Sequence, residues 1–380
     1  MALIAMADFN RDIHCLLGLP FDALTLEQTI EQVRRAASGR QRCFVSTPNL
    51  NFLNGCLADR EFRASVINSD LSIADGMPLV WVARLLGIPI PERVAGAGLF
   101  EALRHDPARP MSVFLFGGEE GVVETASRLL NDKNSGLICV GHHYPGFGSI
   151  AEMSSAAIIE RINASGADFL IVALGARKGQ AWIEHNRARL TVPIISHLGA
   201  VVNFAAGTVR RAPSWMQRSG LEWLWRVKEE PKLWWRYLKD GVGLLRLLIT
   251  RVLPLVWYQQ RTPLPASELA NALVWMEKQE DSLTICLKGA WVRENLAALR
   301  KCLGEAENEA TRSGRSIRLD LSEVTRVDSA FVGLLMLLHG YQTARGKWLL
   351  VKAPRREVRR LFKYTCAEFV LNGRRRHARI

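Results

Sequence analysis

Short apolar segments, each closed by a turn and followed by a helical stretch, recur through the first half of this 380-residue chain. Cys43-Phe44-Val45-Ser46, Leu71-Ser72-Ile73-Ala74, Ser112-Val113-Phe114-Leu115-Phe116, Leu137-Ile138-Cys139-Val140, Phe169 to Leu174 and Pro193-Ile194-Ile195-Ser196 read as strands. Helices are predicted to start near Leu50 and Pro78, to span Glu120–Leu130, and to start at Ala181. Parallel strands need a crossover of this length, so the alternation predicts an α/β fold. Its form is a Rossmann-like, mostly parallel sheet with flanking helices. Ahead of it, Thr25-Leu26-Glu27-Gln28 is a capping box for a helix ending at Gly39, and the residues before it read as a loose segment.

Ligands of open α/β sheets sit beyond the carboxyl ends of the strands. Asp75 falls there, in a turn with Gly76. It reads either as a cap for the next helix or as a general base. Thr47 and Asn49 lie at the end of a neighbouring predicted strand, which makes a polar pocket mouth. Gly117 and Gly118 suit either a tight turn or a backbone approach to phosphate. His142 and His143 are adjacent, point opposite ways on a strand, and have no third ligand in view, so no metal site is predicted.

The net charge is +13, which calls for an anionic partner: nucleic acid, an acidic membrane face or a phosphorylated substrate. Beyond Gly207 basic residues alternate with aromatics, and this stretch holds Trp215, Trp223, Trp225, Trp234, Trp235 and Trp257 of the chain's 11 Trp. Such a pattern fits a helix in a membrane interface, single-stranded nucleic acid, or a packed helical hairpin with a charged face. No uncharged apolar run of about 18 residues occurs, so no spanning helix is predicted. Seven unpatterned Cys and the lack of a signal peptide predict reduced, buried thiols in a cytoplasmic protein. The predicted division is an α/β domain over 1–207, a basic Trp-rich appendage over 208–258, a linker over 259–278, a smaller α/β domain over 279–372 and a basic tail over 373–380.

The stretches STPNLNFL, ADGMPLVW, PERVAGAGLFEAL, FLFGGEEGV, LGARKGQAWI and FAAGTVRRAPSWMQRSGLEWLWRVKEEPKLWWRYL resemble, in order, the WecG/TagA/CpsF glycosyltransferases. The resemblance implies inverting transfer of an N-acetylhexosamine-type sugar from a UDP-sugar to a polyprenyl-diphosphate-linked acceptor, in bacterial polysaccharide biosynthesis. It makes Asp75 the general base, Thr47 and Asn49 pocket-lining, and Arg93 a neighbour of the diphosphate. Gly117, Gly118 and Gln180 are the further predicted substrate contacts. Arg210, Arg211, Arg218, Arg226, Trp223 and Trp225 fall on the family's appendage, which faces the membrane and closes over the active site. With no Asp-x-Asp motif, no metal or other cofactor is expected. Two departures stand out. The family's Pro-Lys-Gln-Glu is Arg177-Lys178-Gly179-Gln180 here, and its Phe-Asp-Phe is Val202-Asn203-Phe204.

IRLDLSEVTRVDSAFVGLLMLL resembles a STAS domain. Ala330 occupies the place of that domain's phosphorylated hydroxyl, beside Ser329, which favours a docking module for a protein partner over a phospho-switch. The expected setting is the inner face of the cytoplasmic membrane, with an anionic membrane surface, a possible homo-oligomer and no nucleic acid as partner. A decayed transferase serving as a membrane scaffold, and a nucleic-acid binder, are the competing readings.

Overall fold

The computed structural model describes residues 8–131, 135–262, 266–352 and 354–371. Strands β1 (Ile13–Leu16) and β2 (Leu19–Asp22) form a hairpin. Six strands follow: β3 (Cys43–Ser46), β4 (Leu71–Ser72), β5 (Met111–Gly117), β6 (Leu137–His143), β7 (Phe169–Ala173) and β8 (Ile194–His197). The last group is β9 (Leu273–Lys278), β10 (Ser282–Trp291), β11 (Ser316–Val327) and β12 (Leu350–Lys352).

Two compact units result. One holds Leu24–Trp81 and Ile90–Gly243; the other holds the described residues up to Ala23, Val82–Pro89 and the described residues from Leu244 on. In the first unit, β3 to β8 make one sheet in the order β4-β3-β8-β7-β5-β6. Every pairing in it is parallel, as the alternation predicts. Its inner strands carry near-continuous apolar runs because helices cover both faces. Val45, Val113, Leu115, Phe169, Ile171 and Ile194 are buried toward one layer, and Phe44, Phe114, Phe116, Leu170, Val172 and Ile195 toward the other. Trp182, fully buried, stacks on Phe116 at 4.3 Å. All six strands run the same way, so their carboxyl ends share one rim.

In the second unit β9–β12 form a sheet in the order β12-β11-β10-β9, with only β9 antiparallel. The helix Ser329–Ala344 is buried over most of its length and is capped by Asp328, whose carboxylate accepts from the Phe331 N–H at 2.9 Å.

Several expectations need correction. The opening segment is not loose from Ile13 on: the hairpin is buried, and it packs with the C-terminal residues. Its Leu17-Gly18 turn has positive φ at both residues, 51° and 86°, the hand that matches strand twist. The expected linker contains the short helix Ala266–Ala270 and the edge strand β9. The helix Ala176–Asn186 starts five residues before Ala181 and takes in Arg177 to Gln180. The helical run Pro231–Arg261 is long and apolar enough, by length and composition, to cross a membrane, because Arg246 and Arg251 interrupt it without lowering its hydropathy enough. The seven Cys carry thiols rather than disulfides; four of them are buried and three only partly so. The basic tail 373–380 lies outside the described residues.

Candidate active site

β4 is only two residues long, and the chain leaves it through Ile73 and Ala74 to reach Asp75 at the rim. The Asp75 N–H donates to the Pro48 carbonyl at 3.0 Å, which ties the ends of β4 and β3 together. Asp75 does not cap the helix Met77–Leu85. Its Oδ2 instead accepts from the Gly96 N–H at 3.2 Å. A side chain on Gly96 would press on Thr47 and Leu198, so this close approach needs glycine.

Arg93 comes from the loop before the helix Gly96–Arg104. Its Nη2 lies 3.8 Å from Asp75 Oδ1 and 2.5 Å from Glu222 Oε2. Its Nη1 donates to the Gln217 carbonyl at 3.2 Å. Gln217 and Glu222 belong to the basic appendage, which therefore folds over the strand tips. Gly220, at φ +78°, allows the same fit, because a Cβ there would come within 3.0 Å of Met77 and Trp81. Burial is the main influence on Asp75 and pushes its carboxyl up to about 6; Arg93 and the Gly96 N–H pull the other way, Glu222 adds to the rise, and Arg226 lowers it. A carboxylate lifted that far toward neutrality is suited to accept a proton.

The appendage arginines divide. Arg226 is half-buried, with its guanidinium 5.6 Å from the Phe204 ring. Arg211 Nη1 reaches the Ala97 carbonyl at 3.5 Å. The Nε atoms of Arg93, Arg211 and Arg226 are buried and unbonded. Arg210 is exposed, and its carbonyl accepts from Trp225 Nε1 at 2.9 Å. Trp223 lies 6.1 Å from the Tyr237 ring. The Arg218 side chain lies outside the described residues.

Thr47 is buried beside Gly96, and Asn49 caps the helix Leu50–Ala58 by accepting from the Phe52 N–H at 3.1 Å. Both stand at this rim. Gly117 and Gly118 stand farther along the same rim, and Gln180 bonds Ser46, the residue before Thr47. β5 is four strand spacings from β4, roughly 19 Å. The Gly118 N–H already donates to the Ala173 carbonyl at 2.8 Å, and a Cβ on Gly117 would strike that oxygen, so the pair serves a tight strand exit. Gln180 is fully buried, and its amide nitrogen donates to Ser46 Oγ at 3.1 Å, tying its helix to β3. The substituted Gly179 has a local reason: a Cβ there would lie 2.2 Å from the His197 ring.

The sequence pattern does not single out Glu222. The available signal was an acid isolated in a basic run, which favours an ion pair. Among the described residues no group of three or more His, Cys, Asp or Glu could hold a metal ion.

Residues 275–368 match the family described as Mlab, STAS domain. The N-acetylglucosaminyldiphosphoundecaprenol N-acetyl-beta-D-mannosaminyltransferase of Staphylococcus aureus (strain NCTC 8325 / PS 47) is 24% identical over 215 residues, covering 56% of this chain and 83% of that protein. Its counterpart in strain MRSA252 is 23% identical over the same length and shares of the two chains. Residues 14–255, well over half the chain, match the Glycosyl transferase WecG/TagA/CpsF family, and the chain belongs to that family.

Proposed function

We propose that this chain is an inverting glycosyltransferase that moves an N-acetylhexosamine-type sugar, such as N-acetylmannosamine or its uronic acid, from a UDP-sugar to polyprenyl-diphosphate-linked N-acetylglucosamine. The observation that carries the reading is Asp75, raised toward neutrality at the rim of a parallel sheet with Arg93 beside it. The named relatives support the acceptor and the sugar class. In the step proposed, an acceptor hydroxyl gives its proton to the Asp75 carboxylate, and the oxygen forms a bond to the anomeric carbon. The bond from that carbon to the UDP oxygen breaks on the opposite side. Its electron pair stays on the diphosphate, where Arg93, Arg211 and Arg226 supply positive charge. No metal is required by this scheme.

The acceptor is a lipid, and the appendage supplies a surface for it. Trp235, Leu238, Val242, Leu245, Ile249, Leu253 and Trp257 are all exposed and recur at helical spacing. Lys232, Arg236, Lys239, Arg246 and Arg251 lie among them. This fits a helix resting in the interface of an anionic membrane. The STAS domain is proposed to dock a protein partner.

Assaying UDP release with a panel of UDP-sugars and short-chain polyprenyl-diphosphate-GlcNAc in anionic vesicles tests the reading. Acceptor-dependent release with one donor is the expected result. A folded, vesicle-bound protein that releases UDP from no donor would contradict it and favour the scaffold reading.

A further inference from the structure

Glu222 has no part in the chemical step just described, yet it sits in the middle of the site. Its side chain is 15% exposed, and its Oε2 makes the shortest contact to Arg93. The same Arg93 nitrogen is 3.8 Å from Asp75. The Gln217 carbonyl, also on the appendage, holds the other terminal nitrogen. The appendage thus fixes where the Arg93 charge stands. That position matters, because a guanidinium in full contact with a carboxylate makes it a poor base.

We propose that Glu222 is a positioning residue of the transfer reaction. It holds the Arg93 guanidinium off Asp75, so that the base stays available to the acceptor hydroxyl, and it keeps the same cation aligned for the departing diphosphate. This rests on reading Asp75 as the base. The charged groups that face Asp75 are Arg93 from its loop, and Glu222 and Arg226 from the helix Glu222–Glu229. Gly96 adds an N–H, and the end of β3 adds the neutral Pro48 carbonyl at the Asp75 backbone. Tyr237 faces Arg93. Without the Glu222 charge, two cations remain near Asp75 and no anion competes for them. Arg93 then closes on Asp75 and the base weakens.

The test uses the full chain in anionic vesicles and compares Glu222→Gln, close in shape, with Glu222→Asp, which keeps the charge. For Glu222→Gln the acid limb of the kcat/KM profile should move down by about one pH unit, and the plateau should fall by up to about tenfold. Glu222→Asp should restore the limb part of the way. In an Arg93→Gln background, Glu222→Gln should shift the limb much less. Titration of the 13C-labelled Asp75 carboxyl by NMR should show the same downward move, and thermal melts report whether each variant folds. A lower plateau with no shift of the limb or of the carboxyl titration would overturn the proposal, as would a profile identical to wild type. If the wild-type chain shows no turnover, the base assignment fails, while the NMR titration still decides whether Glu222 governs the Asp75–Arg93 pair.

Discussion

Asp75 is held in a setting that suits chemistry better than folding. Its carboxyl is raised to about 6 from an ordinary 3.8, chiefly by burial. A carboxyl raised in the folded state opposes folding wherever it is ionised: the cost is absent below the unfolded value, grows between about pH 4 and 6, and is full above that. Asp75→Asn should therefore raise stability at pH 7.5 by about 1–3 kcal/mol, and the gain should vanish below about pH 4. Denaturant melts across that range measure it; a variant less stable than wild type at pH 7.5 would count against the burial argument. Asn49 carries a structural duty as well. Asn49→Ala loses a helix cap and should cost about 1 kcal/mol, whereas Asn49→Asp should keep the cap, as melting at pH 7.5 will report. Asp75, Thr47 and Asn49 were legible because short polar residues directly after apolar runs mark strand ends. Gly179 and Gln180 were not legible, because their roles depend on His197 and Ser46, which sit on other strands.

Among the elements, the run Pro231–Arg261 bears most on where the enzyme works. Its length permits a span, but its faces differ. Asp240 is buried and accepts from Asn54 Nδ2 at 3.1 Å, and a Cβ on Gly243 would clash with that same Asn54 amide. Leu247, Val252 and Leu255 are also buried, while the apolar stripe from Trp235 to Trp257 is exposed. A helix apolar on one exposed face and engaged with protein on the other lies along a membrane more readily than across it. Replacing Trp235 and Val242 together by Ser should weaken binding to anionic liposomes by at least tenfold, since each buried apolar side chain contributes about 1.5–3 kcal/mol. Sedimentation with vesicles would show this, and unchanged binding would remove the helix from the membrane contact. The same scale explains what pattern-reading missed. The parallel strands are continuous apolar runs, which stand out. The hairpin Ile13–Asp22 contains Gly18 and Pro20, residues that usually mark loops, and β9 alternates only partly buried with exposed residues at a sheet edge.

At the scale of the whole molecule, a transferase and a STAS domain share one chain, and the N-terminal hairpin packs with the second of the two units. It packs tightly there: a Cβ on Gly333 would lie 2.9 Å from the Ile13 carbonyl, one on Gly18 would lie 2.8 Å from the Cys366 carbonyl, and buried His14 bonds Ser329 Oγ through Nδ1 at 3.1 Å. Ser329, the hydroxyl nearest the usual phosphorylation position, is therefore engaged. Gly333→Ala should destabilise this unit by about 1–3 kcal/mol and loosen the hairpin amides in hydrogen exchange, with amides around β5 and β7 unaffected. The central claim remains the role of Asp75, and single-turnover sugar transfer in anionic vesicles tests it most directly. With donor and polyprenyl-diphosphate-GlcNAc bound, Asp75→Asn should transfer at least about a hundredfold more slowly than wild type while still binding UDP-sugar. Transfer by Asp75→Asn within a few-fold of wild type would contradict the account.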